Sequence, residues 1–234
     1  MSEPTVVLVH GAFAESSSWN GVIGALGDRV EVLAVANPLR SVAGDAAYLH
    51  SVLDGLEGPF VLVGHSYGGM VITEAAGGRS DVTALVYVAS FAPENGESAL
   101  DLSGKFPGST LGGTLLEYPV NTGGTEVRIR PEEFHAQFAA DVPADVAALM
   151  ARTQRPVTTA ALGDALSSTS PAWRSVPSWF VYGSEDRNVP AQALQFMADR
   201  AQPRAVDVVD GASHAVAVSN PARVAAAVIA AAGV

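Results

Sequence analysis

The chain has 234 residues, of which 48% are hydrophobic and 16% are charged. These proportions predict one folded domain with a large core and exclude a disordered chain. The formal net charge of −11 argues against binding to nucleic acid or to an anionic membrane surface, because either partner requires a basic patch. The absence of cysteine excludes disulfides, thiolate catalysis and cysteine-ligated metal sites.

The first residues, Met1-Ser2-Glu3-Pro4, lack the basic region of a signal peptide, and no apolar run is long enough to cross a bilayer. We therefore expect a soluble, cytoplasmic protein that does not engage membranes. The histidines do not show the spacing of a metal site, so no metal is expected. Whether the chain forms a homodimer is left open by the sequence.

Short apolar runs rich in valine recur along the chain, bounded by glycine, proline, asparagine or aspartate. They are continuous rather than alternating, which is typical of strands buried on both faces of a parallel sheet. The runs are residues 6–9, 30–36, 60–63, 84–89, 179–182 and 205–209.

The segments between these runs show helical spacing. After a candidate N-cap at Ser41, apolar residues recur at intervals of three or four, and Ser219-Asn220-Pro221 begins a final helix. The recurring residues are Val42, Ala46, Leu49, Leu53 and Leu56. Alternation of strands and helices predicts an α/β fold class with a doubly wound, mostly parallel sheet.

The alternation stops between residues 93 and 177, a stretch rich in glycine, proline, serine and threonine. It contains helix-like pieces at residues 131–140 and 144–152 but no convincing buried strand. We predict that residues 1–93 and 178–234 form the core of the fold. Residues 94–177 are then an inserted, mostly helical cap over the edge of the sheet.

The sequence Gly64-His65-Ser66-Tyr67-Gly68-Gly69 connects a predicted strand directly to a helical segment at residues 70–76. In this position G-x-S-x-G is typical of a nucleophile elbow, where glycines make room for a strained turn that exposes the serine. The helix that follows directs its N-terminal amides at the site. Ser66 is therefore the candidate nucleophile, and His65 is expected to pack or hydrogen-bond locally. A dinucleotide fingerprint would need glycine at position 66.

Two later loops carry candidate partners for Ser66, in the chain order serine, aspartate, histidine. Asp186 and His214 each lie just past a predicted strand, at the sheet edge where ligands collect. A serine hydroxyl needs a histidine to remove its proton, and that histidine needs a carboxylate to fix its tautomer. Glu185 and Asp210 are rival carboxylates. Asp186 is favoured because Asp210 shares the loop of His214 and is badly placed to reach the far ring nitrogen.

The loop His10-Gly11-Ala12-Phe13 follows the first predicted strand. Acyl transfer requires amides directed at the oxygen that becomes negative in the tetrahedral intermediate. We assign one such donor to the backbone N–H of Tyr67 and the other to Ala12, with Phe13 as the alternative.

Three aromatic side chains flank these motifs or lie at the cap boundaries and are candidates for an apolar substrate pocket. They are Phe13, Phe91 and Trp173. The alternative is that they belong to the ordinary core, which is the commoner location of aromatic side chains.

Together these motifs resemble the α/β-hydrolase superfamily, and within it the branch of plant methylesterases and hydroxynitrile lyases, together with bacterial esterase-like proteins. The resemblance implies a helical cap, no cofactor, and hydrolysis of a small, largely apolar ester through an acyl-enzyme as the default activity. The lyases of this branch carry threonine where Gly11 stands and lysine where Ala215 follows the candidate base. Both departures disfavour a lyase.

Three alternatives to an ester hydrolase stay open. One is a hydroxynitrile-lyase-like or C–C bond-cleaving enzyme built on the same three residues. The second is a cofactor-free enzyme that makes peracids from a carboxylic acid and peroxide. The third is a hydrolase-derived receptor for a small molecule, which retention of a complete serine–histidine–aspartate set disfavours, because a pure binder does not need a base such as His214.

Overall fold

The structure, a computed structural model, describes residues 3–121 and 123–234. Its strands are β1 (Thr5–Val9), β2 (Glu31–Val35), β3 (Phe60–His65), β4 (Val82–Val88), β5 (Leu115–Pro119), β6 (Thr125–Ile129), β7 (Val157–Thr158), β8 (Ser178–Gly183) and β9 (Ala205–Val209). Six of them form a parallel sheet in the order β2-β1-β3-β4-β8-β9. They coincide, within a few residues, with the six runs predicted from the sequence.

The interior strands β1, β3 and β4 are almost wholly buried, as their valine-rich runs predict. The edge strands β2 and β9 are largely half-buried or exposed, and Val206 and Val208 of β9 are 41% and 44% exposed. Burial on both faces was therefore the wrong expectation for these two strands. Each has a neighbouring strand on one side alone, so it receives less cover than a central strand.

The helices are α1 (Asn20–Leu26), α2 (Val42–Asp54), α3 (Gly68–Ala75), α4 (Ala99–Ser103), α5 (Pro131–Phe138), α6 (Ala144–Thr153), α7 (Thr159–Gly163), α8 (Ala191–Ala201), α9 (Val216–Ser219) and α10 (Pro221–Ala232). Helix α10 packs on β3, β4 and β8 beside α1, while α3 packs on β1 and β3 beside α2. The Ser41 side chain accepts from the Gly44 amide and caps α2 as predicted. Leu56 lies beyond the end of α2.

The segment between β4 and β8 contains α4 to α7 and a second sheet, in which β5, β6 and β7 pair antiparallel. The sequence predicts no convincing buried strand here, and the structure has three short strands, of which the two-residue β7 is buried. Strand β5 is mostly exposed and β7 has two residues, so neither shows the continuous apolar run of a buried strand. The predicted helices at residues 131–140 and 144–152 are α5 and α6. We retain residues 94–177 as the proposed cap segment.

The register of the parallel sheet determines which loops meet. Val9, the last residue of β1, pairs with Gly64 of β3, and His65 pairs with Val88 at the end of β4. The loops after β1, β3 and β4 therefore leave the sheet at one edge, where open α/β sheets bind ligands. Among the described residues, no helix is long and apolar enough to span a membrane.

Candidate active site

Ser66 occupies the sharp turn between β3 and α3, with a left-handed backbone φ of 53°. This conformation is strained for a residue with a side chain and is often found at functional sites. A β-carbon on Gly64 would lie 2.8 Å from the backbone of Gly68, and one on Gly68 would lie 2.4 Å from the Val9 carbonyl oxygen. Glycine at both positions therefore lets the turn close tightly and pack against the end of β1. The Ser66 amide donates to the Val88 carbonyl at 3.2 Å, and Ser90 Oγ donates to the Ser66 carbonyl at 2.7 Å. These bonds hold the strained turn.

His214 and Asp186 form a buried pair beside this turn. His214 Nδ1 lies 2.6 Å from Asp186 Oδ2, and the side chains are 1% and 0% exposed. The second oxygen, Asp186 Oδ1, accepts from the amides of Asn188 at 2.8 Å and Val189 at 2.9 Å. Because the carboxylate accepts, we assign the proton of the imidazole to Nδ1, which leaves Nε2 as the acceptor.

The rival carboxylates lie elsewhere. Glu185 and Asp210 are both exposed, and Asp210 Oδ1 accepts from Ser184 Oγ at 3.1 Å. Asp186 is thus the carboxylate that the structure places against the imidazole of His214.

His65 connects the turn to the loop of His214. Its Nε2 donates to the His214 carbonyl at 3.0 Å, and the two rings are 4.8 Å apart between centroids. Burial, and then the neighbouring His214, lower the pKa of His65 to about 3, so its ring is neutral at pH 7. The ring packs edge-on against Trp19 and Phe138, which is one of the two expected outcomes, and its hydrogen bond joins a residue 149 positions along the chain rather than a neighbour in sequence.

No hydrogen bond joins Ser66 Oγ to the imidazole of His214 within the described part of the chain. Such bonds are often long in the absence of substrate and tighten when substrate binds. His65, which directly precedes Ser66, places the His214 backbone beside the turn.

Two backbone amides near Ser66 have no backbone partner within residues 3–121 and 123–234. Ala12 and Tyr67 line the same cavity as Ser66, and neither N–H donates to another backbone group among the residues described. The alternative donor, the amide of Phe13, donates to the Arg155 carbonyl at 3.1 Å. The structure thus favours Ala12 over Phe13 as the partner of Tyr67.

His10 and Asn37 hold the loop of Ala12, although neither was predicted to have a role. His10 Nδ1 donates to the Gly11 carbonyl at 2.9 Å, while its Nε2 accepts from the Asn37 amide at 3.1 Å. The Asn37 side chain donates in turn to the His10 carbonyl at 2.9 Å. Burial lowers the pKa of His10 to about 4, which keeps the ring neutral. The available signal was a histidine directly after a buried strand.

The cavity at Ser66 has a volume of about 260 Å³. Its lining is dominated by apolar side chains from both the core and the cap segment, and within the described residues none of the lining side chains is charged. Asp186 and His214 are not among the residues that line it. The apolar wall includes Phe13, Phe91, Leu100, Leu111, Leu162 and Val189. Phe13 and Phe91 therefore lie where a substrate pocket was predicted.

Trp173 does not line this cavity, so its prediction as a substrate-binding residue was wrong. Its indole Nε1 donates to the Pro93 carbonyl at 2.9 Å. The guanidinium groups of Arg174 and Arg200 lie 5.1 and 5.7 Å from its ring. The physical reason is that Trp173 precedes the amino end of β8, whereas the site is formed by loops at the carboxyl ends of the strands.

The sequence model of the Alpha/beta hydrolase family matches residues 6–227, and the chain belongs to this family. An alpha-hydroxynitrile lyase of Arabidopsis thaliana is 25% identical, over 92% of this chain and 92% of that protein. Putative methylesterase 11, chloroplastic, of Arabidopsis thaliana is also 25% identical over 92% of this chain, which spans 60% of that relative's length.

Among solved structures, polyneuridine aldehyde esterase is similar, with a TM-score of 0.82, 18% identity and coverage of 98% of this chain and 99% of that one. At this identity the likeness shows the fold. The comparisons confirm the predicted fold class and the predicted branch of the superfamily. The family model and the methylesterase relative also agree with a serine hydrolase of the carboxylesterase class.

Proposed function

We propose that the chain is a serine carboxylic-ester hydrolase in which Ser66 is the nucleophile, His214 the base and Asp186 the acid that orients His214. The observation that carries the proposal is the buried His214–Asp186 pair beside a strained serine turn. That turn opens onto a cavity with two amides, those of Ala12 and Tyr67, that make no backbone hydrogen bond within the described residues. These are the parts that acyl transfer requires.

In the proposed first step, Ser66 Oγ attacks the ester carbonyl carbon while His214 Nε2 takes the hydroxyl proton. The carbonyl oxygen becomes negative and accepts from the amides of Ala12 and Tyr67. Asp186 accepts from Nδ1 and stabilises the imidazolium. The C–O bond to the alcohol then breaks, and His214 protonates the departing oxygen.

In the second step, water attacks the acyl carbon of the Ser66 ester and gives a proton to His214. The tetrahedral intermediate collapses, the proton returns to Ser66 Oγ, and the carboxylic acid leaves. No redox partner or cofactor enters either step.

The cavity supports a neutral substrate with a small apolar arm. A charged group placed among Phe91, Leu111 and Leu162 would lose its hydration without gaining a counter-charge, which is costly. A neutral apolar arm instead gains about 0.8 kcal/mol for each buried methylene. We therefore propose a small, largely apolar ester as the substrate class.

Two observations favour hydrolysis over the lyase alternative. A β-carbon on Gly11 would lie 2.6 Å from both the His65 carbonyl oxygen and Ser66 Cβ, so the threonine of the lyases does not fit here without a shift of the turn. Ala215, which is buried, provides no ammonium group where those lyases carry lysine. A cyanide leaving group would have no cationic partner at this position.

The test is hydrolysis of p-nitrophenyl esters from acetate to octanoate by the wild type and by Ser66→Ala. Ser51→Ala, an exposed serine on α2, is the matched control. We expect turnover that is lost in Ser66→Ala and retained in Ser51→Ala. Equal turnover by Ser66→Ala would contradict the proposal. So would a folded wild type that cleaves mandelonitrile, or halogenates in acetate and peroxide, but hydrolyses none of the esters.

A further inference from the structure

Asp45 is a buried carboxylate on α2 that the proposed mechanism does not use. The residue is 1% exposed. Its Oδ2 accepts from the Tyr67 hydroxyl at 2.9 Å, and both of its oxygens lie 3.1 Å from the Arg40 amide nitrogen. Burial raises the pKa of Asp45 above its ordinary value, which reflects the energetic cost of placing a carboxylate here. Two apolar side chains of similar size in place of Asp45 and Tyr67 would avoid that cost.

The partner of this carboxylate is the residue whose amide completes the site. Tyr67 is fully buried, its backbone N–H lies at the cavity, and its hydroxyl is held by Asp45 at the far end of the side chain. Its carbonyl accepts from the Met70 amide at 3.0 Å. The residue is thereby fixed on both sides of its α-carbon, by α3 through the backbone and by Asp45 through the ring.

The position of Asp45 is itself fixed from the cap segment. Thr158 of β7 donates through Oγ1 to the Arg40 carbonyl at 2.7 Å and through its amide to the Leu39 carbonyl at 3.1 Å. The loop of Leu39 and Arg40, whose Arg40 amide contacts the Asp45 carboxylate, is therefore hydrogen-bonded to the cap segment. A shift of this loop would be transmitted to the ring of Tyr67 through the hydrogen bond between Asp45 and the hydroxyl.

We infer that Asp45 is a positioning residue for the oxyanion site, which it serves by holding the Tyr67 amide in place through the tyrosine hydroxyl. The inference rests on the proposed function. A donor stabilises the oxyanion when it lies about 3 Å from where the oxygen will be. A displacement of about 1 Å can cost roughly 100-fold in rate. A hydrogen bond to a carboxylate is stronger than one between neutral groups, which suits it to this task.

The experiment compares Tyr67→Phe with Tyr87→Phe. Tyr67→Phe removes the hydroxyl and keeps the backbone amide. Tyr87 is the matched control, because it is also fully buried and its hydroxyl shares a hydrogen bond of 2.8 Å with Thr73 Oγ1, away from the cavity. For each variant we would measure kcat and KM for a p-nitrophenyl ester. We would also measure the inhibition constant of an alkyl trifluoromethyl ketone, which forms a tetrahedral adduct with a serine.

Tyr67→Phe should lower kcat by about 10- to 100-fold with KM within about twofold of the wild type. It should weaken inhibition by the ketone by the same factor, because kcat and the affinity for the ketone both depend on stabilisation of the oxyanion. Tyr87→Phe should leave both values at the wild-type level. A Tyr67→Phe variant with wild-type kcat, or with an unchanged inhibition constant, would overturn the inference.

Asp45→Asn provides a second test, since asparagine retains one acceptor oxygen for the tyrosine hydroxyl. We expect a smaller loss of kcat than in Tyr67→Phe, and no further loss when the two changes are combined. Additive losses would contradict action through a shared bond. Failure of the proposed function has a different signature, namely a wild type without Ser66-dependent turnover.

Discussion

His65 donates a hydrogen bond of 3.0 Å to the carbonyl of His214 and thereby ties the strained serine turn to the loop of the proposed base. The bond requires a proton on Nε2, and burial keeps the ring neutral by lowering the pKa of His65 to about 3. His10 is also kept neutral, with a pKa of about 4, and its bond from the Asn37 amide requires an unprotonated Nε2. Two histidines that burial keeps uncharged therefore hold the loops of the site.

This dependence predicts loss of stability in acid. In the unfolded chain both histidines take up protons below about pH 6.5, whereas the folded protein binds them near the lowered pKa values of about 4 and 3. Between these limits the unfolded state binds more protons, so the free energy of unfolding falls as the pH falls. Each histidine contributes a slope of about 1.4 kcal/mol per pH unit well below pH 6.5. Urea unfolding at pH 7, 6 and 5 would measure how the free energy of unfolding depends on pH.

The control for that prediction is His65→Gln, which should show a smaller slope than the wild type because one titrating group is lost. His50→Gln, at a half-buried position on α2, should keep the wild-type slope. A free energy of unfolding that stays constant from pH 7 to pH 5 would refute the prediction.

Asp186→Asn should lower kcat by roughly 1,000- to 10,000-fold, because an amide at this position no longer holds the imidazole in the required tautomer. Asp210→Asn is the matched control, since Asp210 is exposed and bonds to Ser184 rather than to His214. It should retain wild-type kcat. Steady-state kinetics on one p-nitrophenyl ester would give kcat for each variant. Equal losses of kcat in the two variants would argue that Asp186 has no special role.

Gly11→Thr should destabilise the protein by about 1–3 kcal/mol, because the new side chain overpacks against the backbone of His65 and against Ser66. Ester hydrolysis should fall, and mandelonitrile cleavage should not appear. Gly24→Ala is the control, because a β-carbon there meets no atom within 4 Å in the described structure. It should stabilise α1 by about 0.5–1 kcal/mol. Thermal unfolding would show whether the two variants change the stability in opposite directions. A Gly11→Thr protein that is as stable and active as the wild type would contradict the packing argument.

Phe13→Ala should shift the preference toward longer acyl chains. Phe13 lines both the cavity at Ser66 and a neighbouring cavity of about 500 Å³ beside α6, so we predict that its ring separates the two. If removal of the ring buries two more methylenes, at about 0.8 kcal/mol each, kcat/KM for octanoate relative to acetate should rise about tenfold. Leu149→Ala, at a position that lines the neighbouring cavity alone, should not produce this shift. An unchanged chain-length profile in a folded Phe13→Ala would show that the ring is not the partition.

The strands of the parallel sheet, the serine turn and the loop of Ala12 could be predicted from the sequence because each depends on local patterning. Continuous valine-rich runs indicate central strands, and G-x-S-x-G between a strand and a helix indicates a tight turn. The same reasoning failed for β5, β6 and β7. Those short strands are stabilised by pairing within the cap segment, and their sequence does not show the apolar pattern of a core strand.

The partners across the site were decided by the tertiary structure. The sequence by itself determined that Ser66 follows β3 and that a carboxylate and a histidine follow later strands. The sequence favoured Asp186 over Glu185 and Asp210. Its contact with His214, the bond from His65 to His214 and the bond from Tyr67 to Asp45 depend on which strands and helices are neighbours. Trp173 was misplaced for the same reason. Hydrogen bonds between residues distant in the chain are set by strand order and by the direction in which each loop leaves the sheet, and a single sequence carries no local signal of either.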